Sequence, residues 1–150
     1  MKELIILIVA AVPVFEVRAS VPLGIIAYHL PVATAIILSI IGSVLPVFPL
    51  LWILNNLTDR LRKNPKLDRL FEWLFTRTRS KSKLIEDLEL VGLTLFIAVP
   101  LPGTGVWTGT IAAYLLGLRW IPTFIAGAVG TSIASVLVAA ATLGVINFIL

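Results

Sequence analysis

Two ionisable residues, Glu16 and Arg18, interrupt an otherwise apolar stretch near the start of the chain. Arginine stays protonated and presents a rigid fork of donors that suits a phosphate or a carboxylate. A carboxyl group in a low-dielectric site favours its neutral form, which suits proton binding and release. Charged groups at membrane depth are costly and are therefore candidate functional residues. We predict a substrate- and proton-binding site at Glu16, Arg18 and Pro22; the alternative is a structural ion pair or capping of helix ends.

A second segment, residues 100–109, is rich in proline, glycine and threonine. A glycine-rich turn that leads into a helix exposes backbone N–H groups, and the helix dipole favours an anion there. The Gly-Lys-Ser/Thr ending of a nucleotide-binding loop is missing, which argues against ATP binding. The alternative is a tight turn that needs glycine only for close packing. The predicted binding residues of this segment are Pro100, Pro102, Gly103, Thr104, Gly105 and Thr108.

Other chemistry is poorly supported by the residues present. The chain has one histidine, His29, and no cysteine, and it has neither a carboxylate cluster nor a Ser/His/Asp set. Metal sites and hydrolytic sites need such groups, and disulfides need cysteine. We therefore predict no metal, no cofactor and no enzymatic activity.

The composition predicts a membrane protein. Hydrophobic residues make up 59% of the 150 residues, and charged residues make up 13%. A soluble domain of this size could not cover so much apolar surface. This excludes a soluble enzyme, a disordered chain and, despite a net charge of +4, a nucleic-acid-binding module.

The charges are concentrated in one segment, residues 58–89, which contains 15 of the 20 Lys, Arg, Asp and Glu residues. Nine of these are basic, so the positive-inside rule predicts a cytoplasmic connection in a multi-pass protein of the cell membrane. Within it, residues 66–76 have apolar side chains at helical spacing. We interpret them as an amphipathic helix, either on the membrane surface or packed on the protein itself.

Four apolar stretches flank this connection. Residues 32–57 and 121–150 are long enough to span a bilayer core, which takes about 20 residues. Residues 4–30 and 90–118 are interrupted near their middle by Pro- or Gly-containing segments. Each interrupted stretch is either a re-entrant helical hairpin or one broken span, since irregular backbone at membrane depth must be buried or line a wet cavity.

The two halves of the chain, residues 1–57 and 90–150, resemble each other. Ala11-Val12-Pro13 matches Ala98-Val99-Pro100, and small residues recur every fourth position after Pro31 and after Pro122. We predict an all-α integral membrane protein with a single membrane domain. It is an inverted repeat of two units, each a re-entrant hairpin plus a long transmembrane helix. Two long spans and two hairpins would form only a thin wall around a substrate path, and the small-residue stripes need partner helices. Both features favour a homodimer.

The residues from Phe15 to Gly24 resemble the Glu-x-Arg…Pro segment of the bacterial and archaeal small multidrug export protein family. The residues from Val99 to Gly109 resemble its second signature, and the likeness covers essentially the whole chain. That family is similar to the DedA membrane proteins, which are linked to lipid scrambling and to recycling of polyprenyl phosphate carriers with proton coupling. The resemblance implies that Glu16 and Arg18 are the functional pair. DedA proteins also carry arginine in the second hairpin, whereas residues 90–118 here have no charge.

Together these features predict a membrane transporter or a lipid-phosphate flippase of DedA-like type, linked to protons. Its expected partners are membrane lipid, an anionic lipid or small-molecule substrate, and a proton. The alternatives are a small-molecule or drug exporter and a non-transporting membrane assembly protein.

Overall fold

The computed structural model describes residues 1–79 and 83–149, and within these ranges the regular structure is helical, without a strand. Residues 80–82, inside the predicted connection 58–89, and residue 150, at the end of the predicted span, lie outside the described residues. The helices are α1 (Lys2–Ala11), α2 (Glu16–Pro22, continued by a π-helical turn at Leu23–Ala27), α3 (Val32–Val44), α4 (Val47–Leu61), α5 (Pro65–Arg79), α6 (Lys83–Ala98), α7 (Val106–Leu115) and α8 (Trp120–Ile149).

The two interrupted apolar stretches are helical hairpins. In the first, α1 packs against α2, and the Lys2 ammonium donates a hydrogen bond of 3.4 Å to the carbonyl of Tyr28 just after the π-helical turn. In the second, α6 packs against α7, and Arg119 Nε lies 3.1 Å from Glu86 Oε1. Each hairpin is therefore closed at its base by a polar contact between its two ends.

Two stretches are long and apolar enough to cross a membrane, Val32–Leu61 and Trp120–Phe148. The first comprises α3 and α4, and the linking residues Leu45 and Pro46 keep α-helical backbone angles. Pro46 has no N–H, so the backbone hydrogen bond of an uninterrupted helix is lost there and α3 ends. The predicted span 32–57 is thus divided at 45–46 and reaches Leu61, whereas α8 is continuous.

The burial pattern of α8 is the reverse of that in a soluble protein. Every fourth residue from Ile121 to Ile133 is an exposed aliphatic side chain, with exposed fractions of 42% to 67%. The buried side chains of α8 are small or hydroxylated instead, including Ala126, Thr131 and Ser135. Large aliphatic side chains outside and small polar ones inside suit a lipid environment, and the structure thus agrees with the membrane protein predicted from composition.

Each hairpin packs closely against its long helix at a glycine. A Cβ on Gly42 of α3 would overlap the backbone carbonyl of Leu7 in α1, and one on Gly130 of α8 would lie 2.7 Å from the carbonyl of Thr94 in α6. The predicted small-residue stripes on α3 and α8 are buried inside this chain. They are therefore unavailable as a dimer surface, and the homodimer stays a prediction. The stripe residues are Ala35, Ser39 and Ser43 on α3, with Ala126, Gly130 and Ala134 on α8.

Substitution of these glycines tests the packing of the hairpins. Gly42→Ala and Gly130→Ala are expected to lower the free energy of unfolding by about 1–3 kcal/mol each, because the added methyl group has no space. Gly92→Ala and Gly144→Ala are the matched controls, since nothing lies within 4 Å of a Cβ at either helical position. They should be neutral or stabilising by up to about 1 kcal/mol. Unfolding in mixed micelles titrated with SDS, followed by circular dichroism, measures all four; equal destabilisation would contradict the packing argument.

Candidate functional site

The tips of the two hairpins contact each other. The first tip is the turn at residues 12–15, and the second is the irregular segment 99–105 between α6 and α7. The Trp107 indole Nε1 donates a hydrogen bond of 3.1 Å to the carbonyl of Ala11, the last residue of α1. This contact joins residues that are 96 positions apart in the chain, so the site depends on the fold of both halves.

Glu16 lies at the centre of this contact. It is the first residue of α2, only 4% exposed, and has a backbone φ of 43°. Its Oε1 accepts a hydrogen bond of 3.2 Å from the backbone N–H of Trp107 in the first turn of α7. The positive end of the α7 dipole and the nearby Arg18 guanidinium both favour a negative charge there. The Glu16 side chain thus caps a helix of the other hairpin.

Gly105 makes room for this carboxylate. It is buried, its φ is +145°, and a Cβ built on it would overlap the carboxylate of Glu16. The sequence predicted that this glycine-rich turn binds a substrate anion. In the structure the carboxyl group of Glu16 lies there, so the two predicted binding elements form one site.

Arg18 binds the second tip through Thr104. Its Nη2 donates one hydrogen bond to the backbone carbonyl of Thr104 and another, of 3.0 Å, to Thr104 Oγ1. That hydroxyl also lies 2.7 Å from the carbonyl of Val99 and accepts from the N–H of Leu101 at 3.1 Å. Within the described part of the chain, no ion pair shorter than 4 Å joins Glu16 to Arg18. Each is bonded to the opposite hairpin instead.

Arg18 separates two cavities of different character. A cleft of about 440 Å³ between the tips is lined by Glu16, Arg18, Thr104 and Thr108, among others. A neighbouring groove of about 460 Å³ runs along α8 and is lined mainly by apolar side chains, with Arg18 at its polar end. Arg18 therefore lines both the cleft, where Glu16 and two threonines also lie, and the more apolar groove.

The structure brings all nine sequence-predicted site residues together. Pro102 and Gly103 line the cleft with Glu16, Arg18, Thr104 and Thr108, whereas Pro22 and Pro100 line the groove with Arg18. Gly105 packs against the Glu16 carboxylate. Their functional roles stay predictions.

Sequence reasoning missed two parts of the site. Trp107 contributes both its backbone N–H and its indole to the contact between the tips. Its position in the first turn after a glycine-rich segment was the available signal. The wall of the groove formed by α8, from Leu137 to Val145, carries no signal in the sequence because its residues resemble any other lipid-facing helix.

A metal has no evident site in residues 1–79 and 83–149, where no group of three or more histidine and acidic side chains is close enough to hold an ion. The groups that face the cleft include one guanidinium, threonine hydroxyls and one carboxylate. This set suits an anion that carries hydrogen-bond acceptors, or a proton.

Long apolar helices, an outward-facing aliphatic surface and a charged cleft between the two hairpin tips indicate a helical membrane protein. The chain belongs to the family described as Putative small multi-drug export protein, which matches residues 16–137. The family predicted from the two signatures is thereby confirmed, and the matched region includes the Glu16–Trp107 and Arg18–Thr104 contacts. No curated protein and no solved structure matches the chain.

Thr104 provides a test of the second tip. Thr104→Val removes the hydroxyl on which Arg18 Nη2 and the Leu101 N–H converge. The expected loss is about 1–3 kcal/mol of stability, because two partners lose an acceptor. Hydrogen exchange of the Leu101 amide should become faster in the same variant. Thr104→Ser should restore both properties, and Thr108→Val, whose hydroxyl makes only a 3.4 Å contact with the Gly105 carbonyl, should change neither.

Proposed function

We propose that this protein is a proton-linked membrane transporter that moves an amphipathic anion, with a lipid phosphate as the leading substrate class. The observation that carries the proposal is the position of Arg18 between a polar cleft and an apolar groove. A soluble anion needs only the cleft, whereas a lipid phosphate fills both spaces. Its head group would bind Arg18, and its apolar chain would lie along α8.

The proposed arrangement in the membrane is an inverted repeat. Helix α1 has 10 residues and α7 has 10, which gives each a length of about 15 Å, or half of a bilayer core. Hairpins of that depth, closed at their bases, would enter from opposite faces and bring their tips together near the midplane. The similar glycine contacts of α3 with α1 and of α8 with α6 support equivalent units. We propose that the connection lies in the cytoplasm and that the chain sits in the cell membrane.

The proposed proton linkage follows from competition between the Glu16 carboxylate and the substrate phosphate for the start of α7. The Glu16 carboxylate occupies the start of α7, where a substrate phosphate would gain backbone N–H donors and a favourable dipole. Two anions cannot share this position without strong repulsion. Protonation of Glu16 would remove its negative charge from the start of α7 and leave the charge of Arg18 uncompensated, so that both would favour the substrate anion. Binding of the anion and of the proton would then be coupled.

Export of an apolar cation is the second candidate function. The apolar groove beside Arg18 offers a surface for a flat hydrophobic molecule, and Glu16 is the carboxylate available at depth. The amphipathic anion is favoured over this candidate because Arg18 repels a cation. A purely structural assembly protein is disfavoured because the cleft is open, with its lining residues Val14, Pro102 and Gly103 exposed.

Removal of the guanidinium tests the substrate class. In proteoliposomes, Arg18→Gln should slow the movement of fluorescently labelled phosphatidic acid between leaflets by about tenfold to a hundredfold, the loss expected for charge-assisted hydrogen bonds. Arg119→Gln is the matched control, since it removes one arginine charge from an exposed pair at the hairpin base, and it should be nearly silent. Transport of ethidium that is indifferent to Arg18→Gln, with no movement of phosphatidic acid, would instead establish the cation exporter.

The role of Glu16 is tested separately. Glu16→Gln keeps a carbonyl oxygen for the Trp107 N–H but cannot release a proton. Equilibrium exchange of phosphatidic acid should persist, and its acceleration by an imposed pH gradient should disappear. Glu86→Gln, at the base of the second hairpin, should retain the response to the gradient. A Glu16→Gln variant that responds like the unmodified protein would refute proton coupling at this residue.

A further inference from the structure

Helix α4 has an open face that the proposed transport site does not use. On its packed side, Leu51 is fully buried, and Thr58 accepts a hydrogen bond of 2.6 Å from the hydroxyl of Tyr114 in α7. On the opposite side, a groove of about 610 Å³ follows the last turns of the helix and continues to Lys63 beyond its end.

The first part of this groove is apolar and exposed. Trp52, Ile53 and Leu57 line it, with exposed fractions of 61%, 51% and 48%. They lie in the stretch Val32–Leu61, which is long and apolar enough to cross a membrane. In a bilayer, the neighbour of such a surface is an acyl chain.

The second part is basic. Arg60 and Lys63 line the groove one to two turns beyond Leu57, and both are exposed. In the described portion of the structure, neither side chain makes a hydrogen bond or an ion pair. Asp59 also lines the groove, but its charge interacts with Arg62. The charge of the groove is thus positive at the end that is away from the apolar part.

We propose that this groove binds one acidic phospholipid, with an acyl chain along Trp52, Ile53 and Leu57 and its phosphate between Arg60 and Lys63. Eleven residues separate Trp52 from Lys63, a helical distance of about 16 Å. One leaflet of the apolar core is about 15 Å thick, so the order and length of the two surfaces match a single lipid. The charge of Arg60 and Lys63 selects a lipid with net negative charge over a zwitterionic one.

The full-length protein in micelles with equal amounts of phosphatidylglycerol and phosphatidylcholine provides the test, with native mass spectrometry to count the retained lipids. The unmodified protein should retain phosphatidylglycerol preferentially. Removal of both charges in the double variant Arg60→Gln/Lys63→Gln should reduce that retention by about tenfold or more. Asp59→Asn should increase it, because the variant removes the one acidic group that lines the groove.

The matched control is Lys66→Gln/Arg69→Gln, which removes two exposed basic side chains from α5 outside the groove. It should change the retention of phosphatidylglycerol by less than about twofold. Trp52→Ala should weaken retention of both lipids and leave the preference for phosphatidylglycerol unchanged. Equal losses in the two double variants would show a diffuse electrostatic attraction and overturn the site. Equal retention of the two lipids by the unmodified protein would overturn it as well.

Discussion

The hydrogen bond between the Glu16 carboxylate and the first turn of α7 is the interaction on which the rest of the architecture depends. A carboxylate that is 4% exposed costs several kcal/mol unless it is compensated by charge or hydrogen bonds. Compensation here comes from the Trp107 N–H, the α7 dipole and the nearby Arg18. The N–H and the dipole come from the other half of the chain, so the first hairpin alone would lack two of the three. The φ of 43° at Glu16 is a local strain that this contact offsets.

The polar backbone of each hairpin must be satisfied in an apolar environment, and this requirement shapes the tips and the bases. At the second tip, the Thr104 hydroxyl contacts the Val99 carbonyl, the Leu101 N–H and the Arg18 guanidinium. At the bases, the contacts are exposed and include the Glu86–Arg119 pair, whose arginine is 72% exposed. Exposed pairs of this kind contribute little to stability. The interior contacts between the tips, together with close packing at the glycines, therefore hold the hairpins in place.

The sequence was sufficient for features that follow from composition and local chemistry. The sequence shows long apolar runs, a proline or glycine break and one isolated pair of charged residues. In the structure, all nine predicted site residues lie at or beside the contact between the tips. The division between α3 and α4 at Leu45–Pro46 was missed because proline is frequent in membrane helices and its effect depends on packing. The capping of α7 by Glu16 could not be found from spacing, since Glu16 and Trp107 are 91 positions apart and the partner is a backbone N–H. The burial of the small-residue stripes was likewise ambiguous, because the same pattern serves contacts within a chain and between chains.

The two tips are chemically unequal, and this inequality matters for the proposed transport. The first tip supplies Glu16 and Arg18, one charge of each sign, whereas residues 90–118 supply only backbone groups, hydroxyls and an indole. With Glu16 ionised, the two charges cancel and an incoming anion meets no net attraction. With Glu16 neutral, the cleft carries the single positive charge of Arg18 together with unoccupied donors at the start of α7. A second arginine would attract an anion in both states and would weaken the dependence of binding on the proton. One fixed cation and one titratable anion are thus sufficient to couple anion binding to protonation.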